Sequence, residues 1–338
     1  MPRGKAKTKD PVAGKKPTAT TNTLMGIELP VRTGLSPAQQ RFVPAIDSKY
    51  SFPEITFDVV SDILENRCVL TTGHAGTGKS SLFEQIAARM NQPCVRPVMN
   101  GQMTTSELLG GLLVRAGETV FVDGTLVRAM REGMWVIIDE LDNADANILC
   151  SLNTVTEPVT EHKKDRDLIL KENEGELVVA HPNFRILATA NSAGCMEQFR
   201  SLYPGRNRLD VAFLSRFSVY HIDYLPAEQE SEIVQSKTGI PAKIAANMVI
   251  VANQLRTAFA NGEISAPCST RQIFEWGRLI KRHIERAKSQ LDFDDLSDKD
   301  REKTLKSIVQ HAASLALKSR VSFEDQEVID RLILMTFG

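Results

Sequence analysis

At 338 residues the chain is longer than one compact core normally becomes, so two domains are expected. Hydrophobic residues make up 42% and charged residues 25%, the balance of an ordinary globular protein, which excludes a chain that is disordered throughout. A formal net charge of −1 gives no overall field toward nucleic acid or an anionic membrane, and no apolar run is long enough to span a bilayer. The five cysteines are scattered with no CxxC pair, and the six histidines show no ligand spacing. Neither a zinc site nor a disulfide framework is therefore predicted, and buried free thiols in a reducing cytoplasm are expected.

Residues 1–28 are expected to form a disordered basic tail. Arg3, Lys5, Lys7, Lys9, Lys15 and Lys16 lie among Pro, Thr and Gly with few large apolar side chains to offset the entropy of ordering. The basic start is not followed by an apolar stretch, so no secretion signal is predicted. Residues 29–52 form an approach segment. From 53 to 225, short apolar strands alternate with helical patterns, which predicts a parallel sheet sandwiched by helices. Arg67 to Thr72 reads as a buried strand, and Ser81 to Met90 as a helix with Leu82, Phe83, Ile86, Ala87 and Met90 at helical spacing.

Between these two elements stands Gly73-His74-Ala75-Gly76-Thr77-Gly78-Lys79-Ser80, which fits G-x-x-x-x-G-K-[ST] in the strand-then-helix context the motif requires. The glycines allow backbone N–H groups to curl around phosphates, and the helix start directs its dipole at the anion. Lys79 would reach the terminal phosphates and the Ser80 hydroxyl would ligate Mg²⁺. Residues Gly73 through Ser81 are thus predicted to bind ATP, with no catalytic duty expected of the His74 imidazole.

Pro93 to Val98 reads as the next strand. Thr104 and Glu107 form a capping-box pattern that starts a short helix. Two hairpins are predicted, Leu112 to Arg115 with Thr119 to Val122, and Asp167 to Leu170 with Glu176 to Val179. Between them Trp135-Val136-Ile137-Ile138 ends abruptly in Asp139-Glu140, which places two acids at the carboxyl edge of the sheet, where such folds bind ligands. Asp139 would hold Mg²⁺ through its water shell and Glu140 would polarise the attacking water. Asp142 is expected to cap or flank the following helix. A third strand, Phe184 to Ala190, ends in Asn191, whose amide can donate to a γ-phosphate and accept from a water. Residues 226–338 turn helical, with helices predicted over Ala227–Ser236, Pro241–Asn261, Ser269–Ser289 and Asp300–Ser319.

Phosphate loop, Asp-Glu strand end, Thr-Ala-Asn strand end and helical C-terminal region, in that order, resemble the AAA+ ATPases. Glu107-Leu108-Leu109-Gly110 with its hairpin, and the second hairpin before Ala188-Thr189-Ala190-Asn191, resemble the MoxR clade. The runs Asn91 to Arg96 and His181 to Arg185 are similar to the ATPase subunits of cobaltochelatases within it. The resemblance implies a P-loop NTPase core with two hairpin insertions, followed by a small all-α lid. It implies that Arg216 is an arginine finger for a neighbouring subunit, although Ser215 stands where the family usually has Asp or Asn. It further implies that Arg271 contacts nucleotide from the lid, that the subunits form a homo-hexamer, and that a partner bears a von Willebrand A-type domain. Two other readings compete. One moves the motor to DNA through the basic tail, against which the near-neutral charge counts. The other, an ATP-gated scaffold, ranks last because Glu140, Asn191 and Arg216 are all present.

Overall fold

The computed structural model describes residues 21–160, 165–191, 207, 209–290 and 297–338. The cluster from Arg3 to Lys16 and Cys195 lie outside the described residues. The first described element is a hairpin of β1 (Thr21–Leu24) and β2 (Ile27–Pro30), turned by Met25 and Gly26 with φ of 51° and 82°. This corrects the expectation of a disordered tail reaching residue 28. Averaging with the Lys-rich start hides a short alternation that leaves Leu29 fully buried and directs the Asn22 amide to the carbonyl of Arg89 at 2.7 Å.

The elements that follow are α1 (Pro37–Gln40), α2 (Thr56–Leu64), β3 (Cys68–Thr72), α3 (Lys79–Arg89), β4 (Cys94–Val95), α4 (Thr105–Leu109), β5 (Gly110–Arg115), β6 (Glu118–Asp123), α5 (Thr125–Glu132), β7 (Trp135–Ile138) and α6 (Ala146–Thr156). Then come β8 (Asp167–Leu170), β9 (Glu176–Val179), β10 (Arg185–Ala190), α7 (Val211–Leu214) and β11 (Phe217–His221). A five-stranded, wholly parallel sheet has the order β11-β3-β10-β7-β4. Because side chains alternate along a strand, each strand supplies two cores. Cys68, Leu70, Val136, Ile138, Ile186 and Ala188 join one layer with α5 and α6, while Val69, Trp135, Ile137 and Leu187 join the other with α2 and α3.

Pro93 to Val98, expected as one strand, pairs only at Cys94–Val95, with a further bridge between Val98 and Asp139. Pro97 has no N–H to give the ladder, so β4 ends before it. The carbonyl of Pro97 still accepts the Asp139 N–H at 2.9 Å, which keeps the segment in line with β7. Thr104 caps α4 through the reciprocal box with Glu107. Both hairpins form. The first turns on Ala116 and Gly117, both with positive φ, the geometry that suits the twist of a two-residue connection.

Beyond Pro226 lie α8 (Ala227–Thr238), α9 (Ala242–Ala260), α10 (Thr270–Gln290), α11 (Asp298–Ala316) and α12 (Phe323–Phe337), which share a core around Trp276, Met248, Val309 and Ile333. The apolar spacing indicates the first four of these and passes over α12. That helix is announced instead by its caps: the Ser322 hydroxyl accepts the Asp325 N–H at 3.2 Å, and the buried Asp325 carboxylate accepts from Ser265. Four of the cysteines fall among the described residues and all are free; Cys68 and Cys268 are buried, but Cys150 is exposed on α6, contrary to the expectation of buried thiols.

Glu230 on α8 is fully buried and pairs with both terminal nitrogens of Arg256 on α9, at 2.7 and 2.8 Å. The Thr270 hydroxyl donates to the same carboxylate at 2.6 Å. Removing one member of such a pair leaves the other charge buried and uncompensated, at a cost of about 3–5 kcal/mol. Glu230→Ala is therefore expected to lower the unfolding free energy measured by denaturant titration by that amount, whereas Glu230→Gln, which keeps part of the hydrogen bonding, loses less.

Candidate active site

The sheet register brings the predicted residues to one edge. Thr72 lies opposite Ala190 across β3 and β10, and Ile138 lies opposite Ala188 across β7 and β10. The residues after these strands, Gly73, Asn191 and Asp139, therefore emerge side by side. The segment from Gly73 closes on itself and enters α3 at Lys79, with Gly78 in a left-handed conformation (φ 94°) as the cap. Gly76 is also left-handed (φ 80°), and a Cβ added there would run into the Cβ of Ser269, so the helical region packs directly against the loop.

The Lys79 ammonium donates to the carbonyls of Gly73 and His74 at 2.8 and 2.7 Å and to the Asn191 side-chain carbonyl at 3.0 Å. Lysine and asparagine, 112 residues apart, thus meet at the mouth of the loop. The Ser80 hydroxyl donates to Asp139 Oδ1 at 2.7 Å, and the Thr189 hydroxyl donates to the same oxygen at 2.5 Å. Arg96 donates to Asp139 Oδ2 through Nε and Nη2 at 2.9 and 2.5 Å. Burial works against ionisation of Asp139, but the Thr189 and Ser80 hydroxyls and the Arg96 guanidinium together outweigh it and hold the carboxyl below the usual aspartate range. A hydroxyl and a carboxylate are hard oxygen donors, and such a pair fits Mg²⁺ that keeps several waters and takes its other ligands from phosphates.

Glu140 turns out of the strand direction with φ 56° and ψ 47°. Its N–H donates to the Thr189 hydroxyl oxygen at 3.1 Å, and its carboxylate accepts the Asn143 amide at 2.7 Å. Thr189 thus links both acids to β10. Of the two roles expected for Asp142 it flanks α6 without capping it: it is buried, and its Oδ2 accepts the backbone N–H of Asn191 at 3.1 Å, which fixes the end of β10. The helix begins at Ala146, and its N-cap Asp145 makes no side-chain cap bond.

A cavity of about 250 Å³ adjoins the loop. It is lined by Gly76, Thr77, Gly78 and Ser81 on one side, by Tyr50 and Ile222 on another, and by Ile233, Arg271 and Phe274 of the helical region. Arg271 therefore stands beside the phosphate loop, whereas Arg216 is held by α6, donating to the Asn153 carbonyl at 3.0 Å and to its side-chain oxygen.

Tyr224, between β11 and α8, joins the two regions. Its hydroxyl donates to the Ala75 carbonyl at 3.0 Å, its ring is parallel to the His74 imidazole at 6.0 Å, and the Arg256 guanidinium carbon lies 3.6 Å from the ring centre. His74 is half-buried, and burial lowers its affinity for a proton; Asp223 opposes this, and His221, Lys79 and Arg256 reinforce it. The unfolded chain binds the proton more readily, so stability falls as the pH drops through about 6.5. Thermal unfolding at successive pH values should show a steeper acid-side loss in the wild type than in His74→Asn.

Arg96, Thr189, Asp142 and Tyr224 join the site without being singled out by residue type and spacing. Arg96 carried one usable signal, a cation at the end of the strand next to Asp139. The others depend on register and on contacts 49 to 149 residues apart.

Residues 68–217 match the AAA domain of the dynein-related subfamily, and residues 230–312 match the CbbQ/NirQ/NorQ C-terminal domain. The aerobic cobaltochelatase subunit CobS of a Sinorhizobium species is 31% identical over 270 residues, covering 77% of this chain and 79% of that protein. Protein CbbQ of Hydrogenophilus thermoluteolus is 30% identical over 216 residues (64% of this chain, 75% of that one), and protein NorQ of Paracoccus denitrificans 27% over 232 (68% and 80%). Among the described residues no helix is long and apolar enough to cross a membrane. With a P-loop at the edge of a parallel sheet, a helical region packed on it, and both domains matched in order, the chain belongs to the AAA+ ATPases of the MoxR-like CobS/CbbQ/NorQ type.

Proposed function

We propose that the chain is an ATP-hydrolysing motor that works as a ring of identical subunits, a hexamer, and remodels a partner protein. The observation that carries this reading is the connected set of Lys79, Asn191, Ser80, Asp139 and Glu140 at one sheet edge, beneath a loop that the helical region touches. Residues Gly73 to Ser81 cradle the phosphates, Lys79 draws the terminal ones, and Arg271 reaches them from the lid. Ser80 and Asp139 would hold Mg²⁺, which when bound would neutralise charge developing on the phosphates. Glu140 takes a proton from the attacking water, Asn191 orients that water, and Arg216 of one subunit supplies a permanent positive charge to the site of the next.

The partner proposed is a protein with a von Willebrand A-type domain. A cobaltochelatase-like role in metal insertion is supported by the likeness to a chelatase subunit. The site lies in the cytoplasm on this reading. Release of phosphate from MgATP by the full chain, together with loss of nucleotide binding in Lys79→Ala, tests the motor. Absence of turnover by the wild type, alone and with the partner, would overturn it. Affinity capture with a slowly hydrolysed ATP analogue tests the partner: retention of a von Willebrand A-domain protein supports the reading, and retention of nucleic-acid enzymes alone contradicts it.

A further inference from the structure

Arg96 reaches the metal-side carboxylate from a direction that neither the phosphate loop nor the two acids foreshadow. It follows the edge strand β4, and its contacts divide the two oxygens of Asp139. Oδ1 accepts the Ser80 and Thr189 hydroxyls, while Oδ2 accepts the guanidinium alone. The third nitrogen, Nη1, reaches Glu84 on α3 at 3.0 Å. One cation therefore lies between two carboxylates, one beside the loop serine and one on the outer face of the loop helix. The Arg96 side chain is 38% exposed, and its partner Glu84 is 31% exposed, so the arginine has room to shift toward Glu84.

A divalent cation held through Ser80 would draw on the same Asp139 charge. Two cations that share a carboxylate repel each other at a distance where solvent screens them incompletely. Without the guanidinium, the Oδ2 of the buried Asp139 would lose the hydrogen bonds that Arg96 gives it, which is costly for a carboxylate. We propose that Arg96 is the resident counter-ion of Asp139: it occupies Oδ2 and keeps the carboxylate aimed at Ser80 while no metal is bound, yields part of it on metal binding, and so sets the Mg²⁺ concentration the nucleotide site requires. Arg96 is thus a positioning residue, acting on nucleotide through Asp139 and the metal. Glu84 tempers it by offering the guanidinium a second anion.

The inference rests on the reading of Ser80 and Asp139 as the metal-side oxygens. Its test is a Mg²⁺ titration of the binding of a fluorescent ATP analogue to the full chain, in wild type, Arg96→Gln, Arg96→Lys and Glu84→Gln. Removing the competing charge should lower the half-saturating Mg²⁺ by about tenfold in Arg96→Gln. Arg96→Lys keeps the charge and should stay near the wild type. Glu84→Gln leaves the arginine to Asp139 alone and should raise the requirement. A second readout is thermal unfolding without nucleotide, in chelator and in excess Mg²⁺. Arg96→Gln should lose stability in chelator and regain more of it with Mg²⁺ than the wild type does, as expected for a metal that takes the place of the arginine. An unchanged or higher requirement in Arg96→Gln, or equal shifts in the glutamine and lysine variants, overturns the assignment. If Mg²⁺ does not strengthen analogue binding even in the wild type, the reading of Ser80 and Asp139 fails first.

Discussion

Glu140→Gln is expected to abolish steady-state ATP turnover, by about 10²- to 10⁴-fold, while nucleotide binding survives. The prediction follows from what the side chain does and does not support. The backbone at Glu140 is fixed independently of its carboxylate, by the N–H to Thr189 and by the turn that leads into Leu141. A glutamine has the same length and retains an oxygen to accept the Asn143 amide, so the fold of the turn should persist. The amide cannot take a proton from water, and that function alone is removed. Phosphate release measured beside fluorescent nucleotide binding separates the two. Equal turnover by wild type and variant would show that Glu140 is not the base, and loss of both activities would make it a structural residue.

Arg216→Ala should lower turnover by about 10³-fold in the assembled state, the scale of a charge that meets phosphate only in the transition state. Arg216 is held by Asn153 of its own subunit, and on the proposed ring reading its charge serves the site of a neighbour. The decisive form of the experiment mixes two inactive variants. Lys79→Ala subunits keep Arg216 and Arg216→Ala subunits keep Lys79, so a mixed ring contains some junctions with both groups. Recovery of turnover on mixing is expected, because the proposed head-to-tail ring would place the two groups in one site. No recovery would return Arg216 to its own subunit, where its bond to Asn153 gives it a packing role.

Several features of this protein were readable before any contact was known, and each for a local reason. The phosphate loop needs glycines and a Lys-Ser pair at fixed spacing, between a strand and a helix that apolar periodicity reveals. The acids at 139 and 140 are visible because a fully apolar strand stops at them. Both hairpins are visible because turn residues such as Ala116-Gly117 and Glu174-Gly175 separate short β-forming runs. Where the sequence signal is weak, the reason is local too. The β1–β2 hairpin was diluted by a basic neighbour segment, β4 was cut short by Pro97, and α12 carries its signal in its caps rather than in an apolar stripe.

The residues that tune the site were out of reach of such reasoning. Thr189 is an ordinary strand threonine until the β7–β10 register sets Ile138 opposite Ala188, which brings the threonine level with Asp139. Asp142 looks like a helix cap, yet the chain folds it under Asn191. Tyr224 gains its meaning only because the chain between core and lid passes over Ala75, 149 residues earlier.

By itself, then, the sequence determined the class of chemistry: a phosphate loop, two acids and an asparagine at strand ends, in an alternating α/β chain followed by helices. Those are properties of residue type and short spacing, which hydrogen bonding along the backbone translates directly into loops, strands and helices. The tertiary structure alone decided which groups share a charge or a proton. Strand order places β10 between β3 and β7, so Lys79 meets Asn191 and Ser80 meets Asp139, and the edge position of β4 delivers Arg96 to that same carboxylate. Electrostatic coupling depends on separation in space, and a parallel sheet assembles its neighbours without regard to their order along the chain.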